Sequence, residues 1–179
     1  MLVLEGKTLR EISSITKDIQ LPKGRLERIF HEKNPIYIDY AHTPDALECA
    51  LKEIRRSHEG LIWCLFGCGG DRDKQKRPLM GSVAEQYADV VVLTNDNPRR
   101  EDEKAIISDI LSGIESSEDI LIIPDRREAI EKILTEFKKS SNKDVLLIAG
   151  KGHESHQNIG NELFEFNDKD IVSEFLKTK

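Results

Sequence analysis

The sequence predicts an α/β fold: a doubly wound, mostly parallel sheet with helices on both faces. Three observations predict it. Apolar runs of strand length recur at 35–40, 61–67, 89–94, 119–124 and 144–150. Between them, apolar residues return at every third or fourth position, the period of a helix with one buried face. The runs are rich in Val, Ile and Leu, as expected of strands covered on both sides. Right-handed crossovers then give a doubly wound domain.

The elements follow in order. Residues 8–19, TLREISSITKDI, read as a short helix opened by a capping box of Thr8 and Glu11. Pro22-Lys23-Gly24 breaks the chain. PIYIDY (35–40) is a strand. Thr43 caps the next helix and Pro44 takes its first position. Ala46, Leu47, Ala50, Leu51 and Ile54 form its buried stripe. LIWCLFG (61–67) is a strand, GCGGDRDKQKR a loop, and Pro78 opens a helix to about Tyr87. DVVVLT (89–94) is a buried strand followed by the turn NDNPR. Residues 103–114 form a helix with Gly113 at its end. DILIIP (119–124) is a strand, 126–139 a helix, and DVLLIAG (144–150) a buried strand. GKGHESHQNIGN follows as a loop, then LFEF as a short strand and DKDIVSEFLK as the last helix.

The chain has 179 residues and a formal net charge of −6. It is long enough to bury a sizeable core. The acidic balance argues against non-specific binding to nucleic acid or an anionic membrane. No apolar run approaches the roughly 20 residues that span a bilayer, so no membrane insertion is expected. The N-terminus lacks the pattern of a secretory signal. The three cysteines, Cys49, Cys64 and Cys68, suit a reducing, cytoplasmic compartment. Cys64 and Cys68 lack a second pair of ligands, so no metal site is expected in this chain. Cys64 reads as core, and Cys68 as a small buried residue rather than a nucleophile.

In open α/β sheets, ligands bind beyond the carboxyl ends of the strands. Four of these ends carry unusual chemistry: AHTP, GCGGDRDKQKR, NDNPRRED and GKGHESHQ. The fifth, after DILIIP, leads only into Asp125 and Arg126, and loops at the opposite ends are plain linkers. Gly6-Lys7-Thr8 resembles the end of a phosphate loop, but no strand precedes it. Gly150-Lys151-Gly152 lacks the long glycine loop and the Ser or Thr, although its backbone could contact phosphate. There is no GxGxxG fingerprint for a dinucleotide.

Taken together, DYAHTPDAL (39–47), WCLFGCGGDRDKQKRPLMG (63–81), TNDNPR (94–99) and AGKGHE (149–154) resemble the C-terminal domain of the Mur ligases. The nearest likeness is to the branch that joins diaminopimelate to UDP-N-acetylmuramoyl-L-alanyl-D-glutamate. The resemblance runs from about Lys23 to the C-terminus. It implies that residues 1–22 are the last helix of a preceding central domain and 23–179 the C-terminal domain. These ligases hold ATP and Mg²⁺ mainly in domains that this sequence lacks, and an N-terminal domain binds the UDP part of the substrate. Activity in peptidoglycan precursor synthesis is therefore expected of a full-length ligase, and the chain alone is expected to be catalytically incompetent. A stand-alone binding or regulatory module is the alternative. A ligase extending folate with glutamate is a third reading, against which the DNPR turn argues.

The resemblance further implies that Asp96, Asn97, Pro98 and Arg99 form the recognition turn for meso-diaminopimelate. The far end of that ligand is a carboxylate beside an ammonium, and lysine lacks the carboxylate. A guanidinium fork matches a carboxylate with two hydrogen bonds. Arg72 corresponds to a second arginine on the same amino acid, with pairing to Asp71 or Asp73 as its bland reading. Gly150 and Glu154 correspond to acceptors for the far ammonium. Asp39 and His42 lie in the loop that approaches the nucleotide, and His42 either meets the nucleotide or caps the local turn. Lys151 meets phosphate or solvent. No residue stands out as a catalytic base.

Overall fold

The computed structural model describes residues 6, 8, 10–11, 22–29, 34–116 and 120–178. Five parallel strands and one antiparallel edge strand form the main sheet. They are β1 (Glu27–Ile29), β2 (Ile36–Asp39), β3 (Ile62–Phe66), β4 (Val90–Leu93), β5 (Leu121–Ile122) and β6 (Val145–Ala149). Their order across the sheet is β1-β2-β6-β3-β4-β5, with β1 running antiparallel to β2. β6 returns between β2 and β3, so the chain reverses direction around β6 and β3. A crevice at such a switch point is where doubly wound sheets take ligands.

Helices α1 (Pro44–Ser57), α2 (Lys76–Tyr87) and α3 (Glu103–Leu111) cover one face. Leu47, Leu51, Ile54, Met80, Ala84 and Ile110 pack there against Cys64, Phe66, Leu93 and Leu147. Helices α4 (Arg126–Phe137) and α5 (Asp168–Lys177) cover the other. Ile130, Ile133, Leu134, Phe137, Ile171 and Val172 meet Ile38, Leu65, Val92 and Ile148. Successive strand residues point to opposite faces, so a run such as VLLIA is buried throughout. No helix among the described residues is long and apolar enough to cross a membrane.

Local chemistry sets the helix starts. Thr43 accepts from the Ala46 N–H, with Pro44 at the first helical position. Asp102, Asp125 and Asn167 cap α3, α4 and α5 in the same way. Pro78 does not open α2, which begins at Lys76. Within the first turn the missing N–H costs no helical hydrogen bond, so proline is tolerated there.

Other expectations change. The strand expected over 119–124 narrows to Leu121–Ile122, an edge strand whose two residues are exposed. Residue 119 lies outside the described residues. Short β1 emerges from ERI, a stretch without an apolar pattern. The loop expected after β6 contains a strand, β7 (His156–Ile159), which pairs antiparallel with β8 (Glu162–Glu165) in a separate hairpin. Most of the helix expected at 8–19 lies outside the described residues. At its start, Thr8 N–H donates to the Glu11 carboxylate at 2.8 Å and Glu11 N–H to the Thr8 hydroxyl at 3.3 Å, the two bonds of a capping box.

Candidate functional site

The carboxyl ends of β3, β4 and β6 surround a cavity of about 430 Å³. Arg72, Asp96, Asn97, Arg99, Gly150 and Glu154 all line it, with His42 at the same opening. Groups of both charges, including the Arg72 and Arg99 guanidiniums and the Asp96 and Glu154 carboxylates, therefore face one small space.

The loop after β3 and the turn after β4 are stapled together. The Gly70 N–H donates to the Asn97 carbonyl at 2.9 Å. A Cβ on Gly70 would lie 1.9 Å from the Pro98 carbonyl oxygen, so only glycine permits this approach. Arg99 is held with φ +52, in the left-handed region that side chains rarely occupy. Two backbone bonds fix it there: its N–H donates to the Asn158 carbonyl at 3.0 Å, and its carbonyl accepts from Gly160 N–H at 2.6 Å. The Arg99 Nη1 donates to the carbonyls of Gly70 at 2.8 Å and Asn97 at 3.4 Å. The rest of its fork makes no hydrogen bond among the described residues.

Asp96 is 8% exposed, and its carboxylate makes no hydrogen bond among the described residues. Burial pushes its pKa up, against the pull of Arg126 and Lys151. Gly150, at φ +111, stands beside it: a Cβ there would lie 2.7 Å from the Asp96 Oδ2. Partial burial also works against the charge of Glu154. Hydrogen bonds from Lys151 and Asn97 outweigh it, so the Glu154 pKa is lowered. Arg72 is exposed and makes no ion pair among the described residues; its Nη1 donates to the Asp71 carbonyl at 3.2 Å. Asp71 pairs instead with Arg100 at 3.0 Å.

Other expected residues lie away from the cavity or have their polar atoms engaged elsewhere. Pro98 does not line the cavity; its carbonyl accepts from Glu101 N–H at 3.1 Å. Asn97 lines the cavity, but its amide is consumed internally. Its Nδ2 donates to Glu154 at 2.9 Å, and its Oδ1 accepts from Lys151 at 3.1 Å and Asn158 N–H at 2.9 Å. Lys151 meets neither solvent nor an open surface: it is fully buried, and its ammonium also donates to Glu154 at 2.9 Å and the His156 carbonyl at 2.7 Å. The buried Asp39 carboxylate accepts from Leu26 N–H at 2.6 Å and Ala41 N–H at 2.7 Å, bracing two loops instead of facing this cavity. His42 is exposed, its Nδ1 2.9 Å from the Tyr40 carbonyl and its ring 4.5 Å from the Tyr40 ring.

Four residues were not picked out by sequence. Lys76 and Asp73 line the cavity, and the Lys76 ammonium donates to the His42 carbonyl. Buried Arg77 donates to Glu101 at 3.0 Å, Asp109 at 2.8 Å and the Gly69 carbonyl at 3.1 Å. Arg126, which looked like a plain helix start, is fully buried against Asp168 and the Ala149 carbonyl. Only the density of charge around GGDRDKQKR hinted at the first three.

The family pattern described as "Mur ligase, glutamate ligase domain" matches residues 24–152. The chain belongs to the Mur ligase family. It is 47% identical over 173 residues to the UDP-N-acetylmuramoyl-L-alanyl-D-glutamate--2,6-diaminopimelate ligase of Haemophilus influenzae (strain 86-028NP), covering 96% of this chain and 35% of that protein. The ligase of the same name from Buchnera aphidicola subsp. Acyrthosiphon pisum (strain APS) is 46% identical over 172 residues, covering 96% of this chain and 34% of that protein. This Mur ligase chain thus spans about a third of the length of the curated relatives it matches. A solved structure of a UDP-N-acetylmuramoyl-L-alanyl-D-glutamate--2,6-diaminopimelate ligase superposes with TM-score 0.81 at 38% identity, covering 98% of this chain and 36% of that one. A Mycobacterium tuberculosis folylpolyglutamate synthase complexed with ADP and AMPPCP reaches TM-score 0.63 at 19% identity, covering 80% of this chain and 33% of that one, and shares the fold.

Proposed function

We propose that this chain is the amino-acid-binding part of an ATP-dependent ligase that adds meso-diaminopimelate to UDP-N-acetylmuramoyl-L-alanyl-D-glutamate, a step of peptidoglycan precursor synthesis. The observation that carries the reading is the mixed charge of one cavity: Arg72 and Arg99 face Asp96 and Glu154 across about 430 Å³. That arrangement complements a zwitterion. Arg72 and the unengaged edge of the Arg99 fork take the far carboxylate. Glu154 and the Gly150 carbonyl take the far ammonium. A lysine ligand leaves the Arg99 fork desolvated and unpaired, and sites built on a polar partner reject the analogue lacking it by roughly 10⁴ or more.

The fit to the other reactants is different. The described residues contain no group of three His, Cys, Asp or Glu that could hold a metal ion. The sequence has no G-x-x-x-x-G-K-[ST] phosphate loop. In the proposed reading, Mg²⁺ and activation of the substrate carboxylate, the acyl donor, are assigned to other domains of the ligase, as is the UDP-bearing substrate. In this reading the chain selects the amino acid and cannot activate its partner.

Calorimetric titration of the chain with meso-diaminopimelate, L-lysine and L-glutamate tests the proposal. Binding of meso-diaminopimelate alone is expected, and Arg99→Ala should abolish its advantage over lysine. An equal response to all three, or none to any, removes the reading.

A further inference from the structure

The recognition turn and the GKGHE loop come from strands far apart in sequence. The Asn97–Glu154 hydrogen bond and one ammonium join them. Lys151 is fully buried, and its Nζ has three acceptors: Asn97 Oδ1 at 3.1 Å, Glu154 Oε2 at 2.9 Å and the His156 carbonyl at 2.7 Å. A lysine ammonium has three protons, so none remains for a ligand. The ring of Phe166 lies 5.8 Å away on a further side. Behind the same turn, buried Gln157 donates from Nε2 to the Asp96 carbonyl at 2.7 Å. Asn158 N–H donates to Asn97 Oδ1, and the Asn158 carbonyl accepts from Arg99 N–H. Strand β7 and Lys151 therefore form a continuous polar layer behind Asp96, Asn97, Arg99 and Glu154.

We propose that Lys151 is a positioning residue for amino-acid selection: it locks the recognition turn, Glu154 and β7 into one wall, with Gln157 as the second lock. The inference rests on the amino-acid-binding reading above. Its physical content is preorganisation. Glu154 shares its Oε2 between Lys151 and Asn97, which aims the carboxylate and leaves Oε1 for a ligand ammonium. Without the buried cation, Glu154 and Asn97 lose a shared donor. Both must then reorient or be left unpaired when a ligand closes the site. The left-handed Arg99 backbone is bonded to Asn158 of β7 and to Gly160 just after it, so loosening β7 also loosens the base from which the guanidinium is aimed. The layer contacts no ligand, yet it sets where both charges of the wall stand.

The test uses the 179-residue chain itself. Ligand-observed NMR titrations with meso-diaminopimelate, L-lysine and ADP are run on the wild type, Lys151→Met and Gln157→Leu, with thermal unfolding as a control. For Lys151→Met, affinity for meso-diaminopimelate should fall tenfold or more, about 1.4 kcal/mol. The preference over lysine should narrow, and any ADP response should not move. Gln157→Leu should act in the same direction at about half that size in free energy, and it decides the matter if Lys151→Met does not fold. A merely structural role would lower the melting temperature without narrowing the preference, and that result overturns the proposal. So does a folded Lys151→Met that binds meso-diaminopimelate as the wild type does, or one that loses only ADP. If the wild type itself fails to bind meso-diaminopimelate, it is the broader functional reading that falls.

Discussion

Arg126→Met should be the most damaging single change to this domain's stability. Arg126 and Asp168 are both fully buried, joined by Nε to Oδ1 and Nη2 to Oδ2, each at 2.8 Å. Burial works against the guanidinium charge, and Asp168 more than offsets it, so the Arg126 pKa is raised. The same side chain donates to the carbonyls of Ala149 at 3.0 Å and Asn95 at 3.3 Å. It thereby ties the ends of β4 and β6 to the start of α5. Methionine keeps much of the volume but orphans the Asp168 carboxylate in a fully buried site. Breaking one side of a buried pair costs about 3–5 kcal/mol. With a urea slope of about 2 kcal/mol per molar for a domain of this size, the midpoint should fall by about 2 M. The assay is equilibrium urea unfolding followed by the circular dichroism of the helices. The companion is Arg126→Met with Asp168→Leu, which removes both charges and should recover most of the loss. A single-variant loss below about 1 kcal/mol would mean that Asp168 finds another partner, refuting the argument. A double variant as unstable as the single would place the cost in the stranded Ala149 and Asn95 carbonyls instead.

Two further outcomes follow from titratable groups. Hydrogen bonding from Arg77 lowers the Glu101 pKa from 4.5 to about 2, against opposing burial and with help from Asp71 N–H and Lys74. A depressed carboxylate stabilises the fold fully above its unfolded value and loses that contribution as pH falls. The stability gap between wild type and Glu101→Gln should thus shrink between pH 4.5 and about 2 in unfolding measured against pH, and a constant gap would refute it. Among the three thiols, only Cys49 is exposed, while burial pushes Cys64 and Cys68 up to about 12. An aromatic disulfide reagent at mildly alkaline pH should titrate one thiol quickly in the folded chain and all three in urea; a second fast thiol would contradict the packing.

The parts legible in the sequence are those written in local physics. Strand runs of Val, Ile and Leu, Thr43 before Pro44, and Asp102 and Asp125 before their helices each carry their own signal within a few residues. Strand ends also showed where charge gathers, because the fold class fixes which loops converge. β7 was not legible: HQNI has no apolar period, and it pairs with β8 in an isolated hairpin while bonding to the Arg99 turn. Arg77, Arg126 and Lys151 were not legible for a related reason. A buried cation is possible only where acceptors meet it, and theirs come from other elements: Asp109 for Arg77, Asp168 for Arg126, Asn97 for Lys151. Read alone, each looks like a surface charge.

The Asp96–Arg99 turn shows what that blindness conceals. A motif reading treats Asp-Asn-Pro-Arg as four ligand contacts, yet the four residues divide by what their polar atoms already do. Pro98 contributes a carbonyl to the backbone and no surface to the cavity. Asn97 gives its amide to Glu154, Lys151 and Asn158. Only Asp96 and Arg99 bring uncommitted polar atoms to the cavity, and each is held at a cost: a carboxyl pushed up by burial, and a backbone at φ +52. Such costs persist only where surrounding bonds over-determine the geometry. Here β7, Lys151 and Gln157 supply those bonds. If the turn selects the amino acid as proposed, that selectivity belongs as much to the layer behind it as to its arginine.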